Sequence, residues 1–521
     1  MASSSGLHST TSKGKGGPSA YKMSIKLYDA NGNEREITNL VSNVTITESI
    51  FQQALMAEFS ITDGVNMMEY NNITGNEKIS VVLRKQMKEG EEAVDLQSDW
   101  YILDIPLYGR PKPDVQVYKI RCISPLGYIT QLKRVDHVLK GTPVEILEEL
   151  YRENNIEGDK LDVKDKHSTG IMTYIPPKIS YSSAISHILS KTMSDNGSPY
   201  FAYETFNGTA AGSKVIMNSY NEMITTEVYD RYKQIFFNQG EEFSDAKFKN
   251  KRTSILEISS NLGFSPYKAL KDGAYITRSH VIDWQTKSYT TSDYNAMGNK
   301  PPMMDKDIIM HPNFDIGGLN YSNIVEAHNL YYNTNVLARA DKGEVGIHEH
   351  MAISGSVRRS VIANMNQIEH SIKLNGDISL TPGTMIELEI PKVGGATEKK
   401  DLDMDLLLSG RYLIVSSVHE FVSEGYFTRI KVRKDSIDRG NLIYKPIDGG
   451  SSPAPKQLVG KNPDGPNGGL LGEVKPKEST MLKNVTPEFS GTSTLTSTNT
   501  VSPGDSTSIP NILINFFNSL F

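Results

Sequence analysis

Two histidines flank a carboxylate at His348-Glu349-His350. On a strand alternate residues share a face, so the two imidazoles would stand together and could open a zinc site. Nothing nearby in the sequence completes such a site, and a strand carrying two ordinary histidines is the simpler expectation. His419-Glu420 is followed by Ser423 where a helical H-E-x-x-H protease motif needs its second histidine. Asp401, Asp403 and Asp405 imitate the opening of a calcium loop, but Leu406 stands where the turn needs glycine and Tyr412 where a bidentate glutamate should close it. With Lys399-Lys400 they read instead as a solvated loop. There is no Walker A loop, no G-x-G-x-x-G and no G-x-S-x-G nucleophile turn. Paired carboxylates for sugar hydrolysis need only meet in the fold, and nothing in the sequence points to them. The expectation is a chain that is not an enzyme, with no catalytic residue, no cofactor and no metal.

Two other patterns could serve recognition. Lys119 and Arg121 alternate with Tyr118, Ile120 and Cys122, and Arg429, Lys431 and Arg433 alternate with Thr428, Ile430 and Val432. Each run puts a basic face on one strand, either a charged wall at a subunit contact or channel, or simply the wet side of an antiparallel sheet. Near the end, Ile509, Ile512, Leu513, Phe516, Phe517 and Leu520 recur at helical spacing behind Pro510. A helix this short persists only when docked, either in a partner's groove or on its own assembly.

The elements that must carry these residues follow from size and patterning. At 521 residues the chain has room for about three or four domains. One cysteine, Cys122, excludes an internal disulfide scaffold and a cysteine-rich metal site. A net charge of −6 gives no basic excess for gripping nucleic acid. Residues 1–20 are Ser, Thr, Gly and Lys with almost no apolar content and read as a disordered tail. No apolar run approaches the roughly 20 residues that cross a bilayer, so membrane insertion by this chain is not expected.

The expected class is mainly β with α+β. Residues 21–124 read as a first antiparallel barrel, closed or nearly closed, with period-two strands such as Val44-Thr45-Ile46-Thr47. Residues 125–235 form a small α+β domain. A capping box at Thr142-Pro143-Val144-Glu145 starts one helix, and Ser182 to Met193 form another. A second barrel comprises 236–264 and 351–437, with Ser254-Ile255-Leu256-Glu257-Ile258 as its first strand. It is interrupted by an inserted domain at 265–350 carrying a helix around Ser322 to Leu337, and a further helix runs from Ser356 to about His370. Residues 438–507 are a flexible linker and 508–521 the amphipathic helix.

The barrels resemble each other. Ile79-Ser80-Val81-Val82-Leu83, Trp100-Tyr101-Ile102-Leu103-Asp104-Ile105 and Tyr118-Lys119-Ile120-Arg121-Cys122 are matched, roughly 310 residues later, by Ile386-Glu387-Leu388-Glu389-Ile390, Arg411-Tyr412-Leu413-Ile414-Val415 and Thr428-Arg429-Ile430-Lys431-Val432. Two equivalent barrels per chain let three chains present six positions around an axis.

Ile25-Lys26-Leu27-Tyr28-Asp29, Val44-Thr45-Ile46-Thr47-Glu48-Ser49, Gly75-Asn76-Glu77-Lys78-Ile79-Ser80-Val81, Leu380-Thr381-Pro382-Gly383 and Val418-His419-Glu420-Phe421, in this order and spacing, resemble the baseplate central hub proteins of T-even-type contractile-tailed bacteriophages. The resemblance spans most of residues 21–437. It implies a homotrimer forming a pseudo-sixfold ring in the virion's tail baseplate, assembled in the host cytoplasm. The implied partners are the threefold cell-puncturing spike protein on one side, and the sixfold tail tube or tube-initiator proteins and the tape-measure protein on the other. DNA would pass transiently and without specificity through the lumen. The tail after Ile437 and residues 1–20 have no counterpart in the family pattern, and residues 265–350 match it poorly. A tail-associated cell-wall hydrolase and a carbohydrate-binding adhesin are the rival readings. The first lacks visible acid or nucleophile clusters, and the second has only Trp100 and Trp284 as stacking platforms.

Overall fold

Period-two alternation of apolar and polar residues governs the longest stretches of the chain, and in the computed structural model it yields one large sheet of thirteen strands. The structure describes residues 21–437 except 30, 71–72, 86–94, 169–170, 210–211, 235–252, 284–286, 297, 299–300, 310–314, 317–318, 321–326, 334–336, 340–348 and 393–403. Numbering only the strands of the large sheet, the first set is β1 (Tyr21–Tyr28), β2 (Glu34–Glu36), β3 (Val41–Ser49), β4 (Met56–Asp63), β5 (Lys78–Lys85), β6 (Asp95–Lys112) and β7 (Val115–Ile123). The second is β8 (Arg231–Lys233), β9 (Glu257–Leu262), β10 (Ile368–Asn375), β11 (Met385–Glu389), β12 (Gly410–Val422) and β13 (Gly425–Lys434).

Along the sheet the order is β9-β10-β13-β12-β3-β4-β7-β6-β5-β1-β2, with β11 beside β12 and β8 beside β11. All these pairings are antiparallel except β8 with β11, which is parallel. The mainly-β class expected from the sequence is what the structure shows. The topology departs from two self-contained barrels, because β12 of the second set pairs directly with β3 of the first. Among the described residues no pairing joins β2 to β3, so the first set does not close on itself; its free side is occupied by the second set.

Each set nevertheless curls around its own core. Ile25, Val44, Phe59, Val81, Trp100 and Ile120 meet in the first, and Ile372, Leu388, Tyr412, Ile414, Ile430 and Val432 in the second. Phe421 and Tyr426, from the far end of the β12–β13 hairpin, belong to the first core rather than the second. The splice is therefore made by side chains as well as by backbone.

Between the sets lies the α+β region. Thr142 caps the helix Pro143–Arg152 through a complete capping box with Glu145, as the sequence predicts. The second helix runs Tyr181–Leu189, starting one residue before the expected Ser182 and ending four residues short of Met193. Their apolar stripes pack on the hairpin of Tyr200–Thr209 and Gly212–Ser219 through Leu147, Leu150, Ile185, Ile188 and Tyr200.

The segment after β9 corrects several expectations. Where a helix was expected at Ser322 to Leu337, Ala327–Asn333 is a strand lying parallel to Ile276–Asp283, and Leu337–Arg339 is another. Tyr331 and Tyr332 favour a pleated surface, Asn329 and Asn333 weaken a helix, and a waiting edge decides it. Leu337–Arg339 pairs with Met172–Tyr174 of the α+β region, so the inserted stretch shares a sheet with its neighbour. The helix expected from Ser356 to His370 begins earlier, at Glu349, and stops at Met365, leaving His370 on β10. His350 therefore sits in a helix and not on a strand beside His348, which lies outside the described residues; the proposed pairing of imidazoles on one strand face fails. The strand expected at Ser254 to Ile258 runs instead over Glu257–Leu262. No helix among the described residues is long and apolar enough to cross a membrane.

Candidate functional site: the seam between the strand sets

The two strand sets correspond residue by residue. In β6, Ile102 faces Cys122 and the next paired residue is Asp104, so Leu103 forms a bulge. In β12, Ile414 faces Val432 and the next paired residue is Ser416, so Val415 forms the same bulge. Taking Cys122 as equivalent to Val432, Ala57 and His370 are the next pair across, and then Ile46 and Ser260. On the other side Ile79, opposite Trp100, corresponds to Ile386, opposite Tyr412. Thus β3, β4, β7, β6 and β5 match β9, β10, β13, β12 and β11, and the sequence pairing of Tyr118–Cys122 with Thr428–Val432 is in register.

The splice between the sets runs from Ser416 opposite Ser49 to Val422 opposite Asn43. Within it Glu48 and His419 are both fully buried, with Glu48 Oε1 accepting from His419 Nε2 at 3.0 Å. Glu48 Oε2 accepts from the Phe206 backbone N–H at 2.9 Å. His419 Nδ1 lies 2.8 Å from the Tyr426 hydroxyl; with Nε2–H given to the carboxylate, Nδ1 accepts. Burial holds the Tyr426 phenol well above its ordinary range, so it stays a donor. Ser49 Oγ donates to Val415 O at 3.0 Å, Ser416 Oγ to Glu48 O at 2.9 Å, and Tyr21 Oη to Val422 O at 2.8 Å. The Glu48 and His419 side chains are closed off from any substrate, and each has hydrogen-bond partners. The arrangement clamps two sheets together.

A second buried carboxyl supports the clamp from the α+β side. Glu204 accepts from the Leu55 backbone at 3.0 Å and from the hydroxyls of Ser124 and Ser213, and burial raises its pKa.

Gly383 ends the Leu380-Thr381-Pro382-Gly383 turn with φ of +82°. Its N–H donates to Ile414 O at 2.8 Å, Tyr203 Oη donates to Pro382 O at 2.9 Å, and Ser417 Oγ donates to Leu380 O at 2.5 Å. A Cβ at Gly383 would run into the Tyr203 hydroxyl and lie 3.3 Å from the Met223 sulfur. Gly383→Ala should therefore cost about 2 kcal/mol, combining left-handed strain with local overpacking. A urea midpoint unchanged by the substitution would refute this account of the turn.

Four of the five basic residues singled out in the sequence are paired with carboxylates. Lys119 pairs with Glu58 at 2.5 Å, Arg121 with Asp104, Arg429 with Glu420 at 3.3 Å, and Arg433 with Glu369 at 2.7 Å. In each case the neighbouring strand supplies the carboxylate, which gives a face of alternating sign. These partly exposed pairs contribute about 0.2–1 kcal/mol each and chiefly favour register. No carboxylate among the described residues is within ion-pair distance of Lys431. With Arg433, Thr47, Phe51 and Ser416 it borders a shallow depression of about 230 Å³ over the seam.

Asp405 accepts from the Leu407 and Leu408 N–H groups at 2.9 and 3.1 Å and so organises a turn; Asp401 and Asp403 lie outside the described residues. So does the whole stripe Ile509, Ile512, Leu513, Phe516, Phe517 and Leu520. His137, Glu149 and Glu153 bring three donor atoms within 4.8 Å of one another. Glu153 is already engaged by His137 at 3.0 Å and Tyr181 at 2.8 Å. The seam itself was missed by sequence reasoning, although Glu48 and His419 both stand in motifs that carried the family resemblance.

No protein-family model matches the chain, and no curated protein matches it. Among solved structures the chain is similar to a tail protein from Neisseria meningitidis MC58, with 9% identity, a TM-score of 0.45, and 80% of this chain and 97% of that one covered. It is also similar to the 43 kDa tail protein of prophage MuSo2 from Shewanella oneidensis, with 10% identity, a TM-score of 0.43, and coverage of 80% and 100%. A component of the Escherichia coli type VI secretion system matches at 9% identity and a TM-score of 0.37, with coverage of 77% and 74%. Identities of this size leave the assignment of role to the chain's own geometry.

Proposed function

We propose that the chain is a structural component of a contractile phage tail, the hub of the baseplate. Three copies form a pseudo-sixfold ring that joins a threefold cell-puncturing spike to the sixfold tail tube, around a channel through which the genome leaves. The observation that carries this reading is the register-for-register correspondence of two strand sets spliced edge to edge in one chain. A subunit that already contains two quasi-equivalent units and one junction between them needs only repetition of that junction to close a ring. The buried Glu48–His419 pair and the hydroxyls of Ser49 and Ser416 hold the sheets together at the splice, which suits a part that carries mechanical force. The spike protein, the tube or tube-initiator proteins and the tape-measure protein are the partners this role requires, and the virion tail baseplate is its place. Mass measurement of the native full-length protein should give three copies, and imaging should show a central hole with six similar lobes. A single copy at micromolar concentration would overturn the reading.

A further inference from the structure

The internal splice predicts the external one, and the residues that make it can be read from the register; this step rests on the ring reading above. In the splice, the second half of β12 carries β3 on its open side. The equivalent half of β6, from Leu103 to Lys112, pairs with β7 on one side, while the pairing of β5 along β6 ends where Lys78 meets Tyr101. The equivalent of β3 is β9, which pairs with β10 on one side. Among the described residues neither of these two edges has a strand on its other side. An unpaired edge with apolar side chains is a template for another chain.

Side-chain exposure at these two edges agrees with the register. Val415, His419, Glu48 and Ile50 are each at most 2% exposed, because the internal splice covers them. Their counterparts are Leu103, Tyr108, Leu262 and Phe264, which are 43%, 54%, 44% and 38% exposed. Four positions buried at the filled junction are thus large, apolar and open at the unfilled one. Other inward positions are more polar than in the splice, with Ser260 for Ile46 and Arg110 for Phe421, as suits an edge that meets water before assembly.

We infer that β9 of one copy adds to the second half of β6 of a second copy of this chain. The junction repeats the β3–β12 splice, with Leu107 opposite Asn261, Tyr108 opposite Ser260 and Gly109 opposite Ser259. Leu262 and Phe264 then cover Leu103, as Glu48 and Ile50 cover Val415. The interface is heterologous, one edge against a different edge, so repetition makes a ring rather than a twofold dimer.

Cysteine crosslinking of the full-length protein tests this, since the native Cys122 is buried. Leu107→Cys with Asn261→Cys should oxidise between copies and give a covalent ladder ending at three chains under denaturing, non-reducing conditions. Thr47→Cys with Val418→Cys, the same geometry inside one chain, should form a bridge without raising the mass and reports correct folding. Leu107→Cys with Ser260→Cys, which puts the thiols on opposite faces, should stay uncrosslinked. A native mass of three copies, with the internal bridge formed but no bond between residues 107 and 261, overturns the seam and leaves the ring standing. A native mass of one copy overturns the ring reading and the seam with it.

Discussion

Replacing Glu48 with alanine should lower the stability of the fold by about 3–5 kcal/mol, the usual cost of removing one partner from a buried ion-paired or hydrogen-bonded site. The size follows from what is left behind. His419 Nε2 and the Phe206 N–H lose their acceptors in a place with no exposure to water, and an unmet buried donor costs about 1–3 kcal/mol by itself. Glu58→Ala, which removes the partner of the half-exposed Lys119, should cost no more than about 1 kcal/mol. Urea unfolding of the two variants side by side checks the contrast. Equal shifts would mean that the Glu48–His419 contact does not hold the splice. In the double substitution Glu48→Ala with His419→Ala, the loss should be well short of additive, because the two residues answer each other.

This pair also explains what the sequence disclosed without revealing why. Val44-Thr45-Ile46-Thr47-Glu48-Ser49 and Val418-His419-Glu420-Phe421 are unremarkable strand motifs in isolation. In the structure they are the two sides of one ladder. Leu380-Thr381-Pro382-Gly383 braces the same ladder from above through Ser417 and Ile414. In the Gly75-Asn76-Glu77 turn, the buried Glu77 carboxylate accepts from the Thr74 and Gly75 N–H groups. The motifs that carried the resemblance are thus turn closures and splice contacts, which is why they could suggest an architecture but no chemistry.

Period-two alternation was enough to find β3, β4, β7, β12 and β13, and the capping box was enough to start the helix at Pro143. What could not be read is which edge meets which, because strand pairing across more than 350 residues leaves no trace in local composition. The basic faces show the same limit. Lys119 and Arg121 were visible as a stripe, but their neutralising carboxylates Glu58 and Asp104 stand on other strands. The inserted stretch failed for a related reason: Ala327–Asn333 becomes a strand because Ile276–Asp283 offers it an edge, a tertiary circumstance that overrides weak helical spacing.

His370 gives the second large effect, and it is a dependence on pH. The ring lies on β10 with no exposure, its Nδ1 at 2.8 Å from Ser260 Oγ and its Nε2 at 3.0 Å from Tyr412 Oη. Tyr412 donates its own proton to Leu408 O at 2.8 Å, so its oxygen accepts from Nε2–H and Nδ1 is left to accept from Ser260. Burial pushes the imidazole down to about 4, against roughly 6.5 in the unfolded chain. The unfolded state therefore takes up the proton first. The full contribution is present above pH 6.5 or so and is lost as pH falls from there towards 4, by about 3 kcal/mol in all. Glu204 and Asp435 work in the opposite sense, since burial raises both carboxyls and acid favours their folded, protonated forms. Comparison with His370→Gln separates the two, because the carboxyls are common to both proteins. Between pH 7 and pH 4 the native protein should lose about 3 kcal/mol more than the variant in urea titrations, and parallel pH profiles would show that the buried ring is not kept neutral. Ser260, which holds that ring, stands on β9, so acid should loosen first the edge strand that the ring assembly is proposed to need.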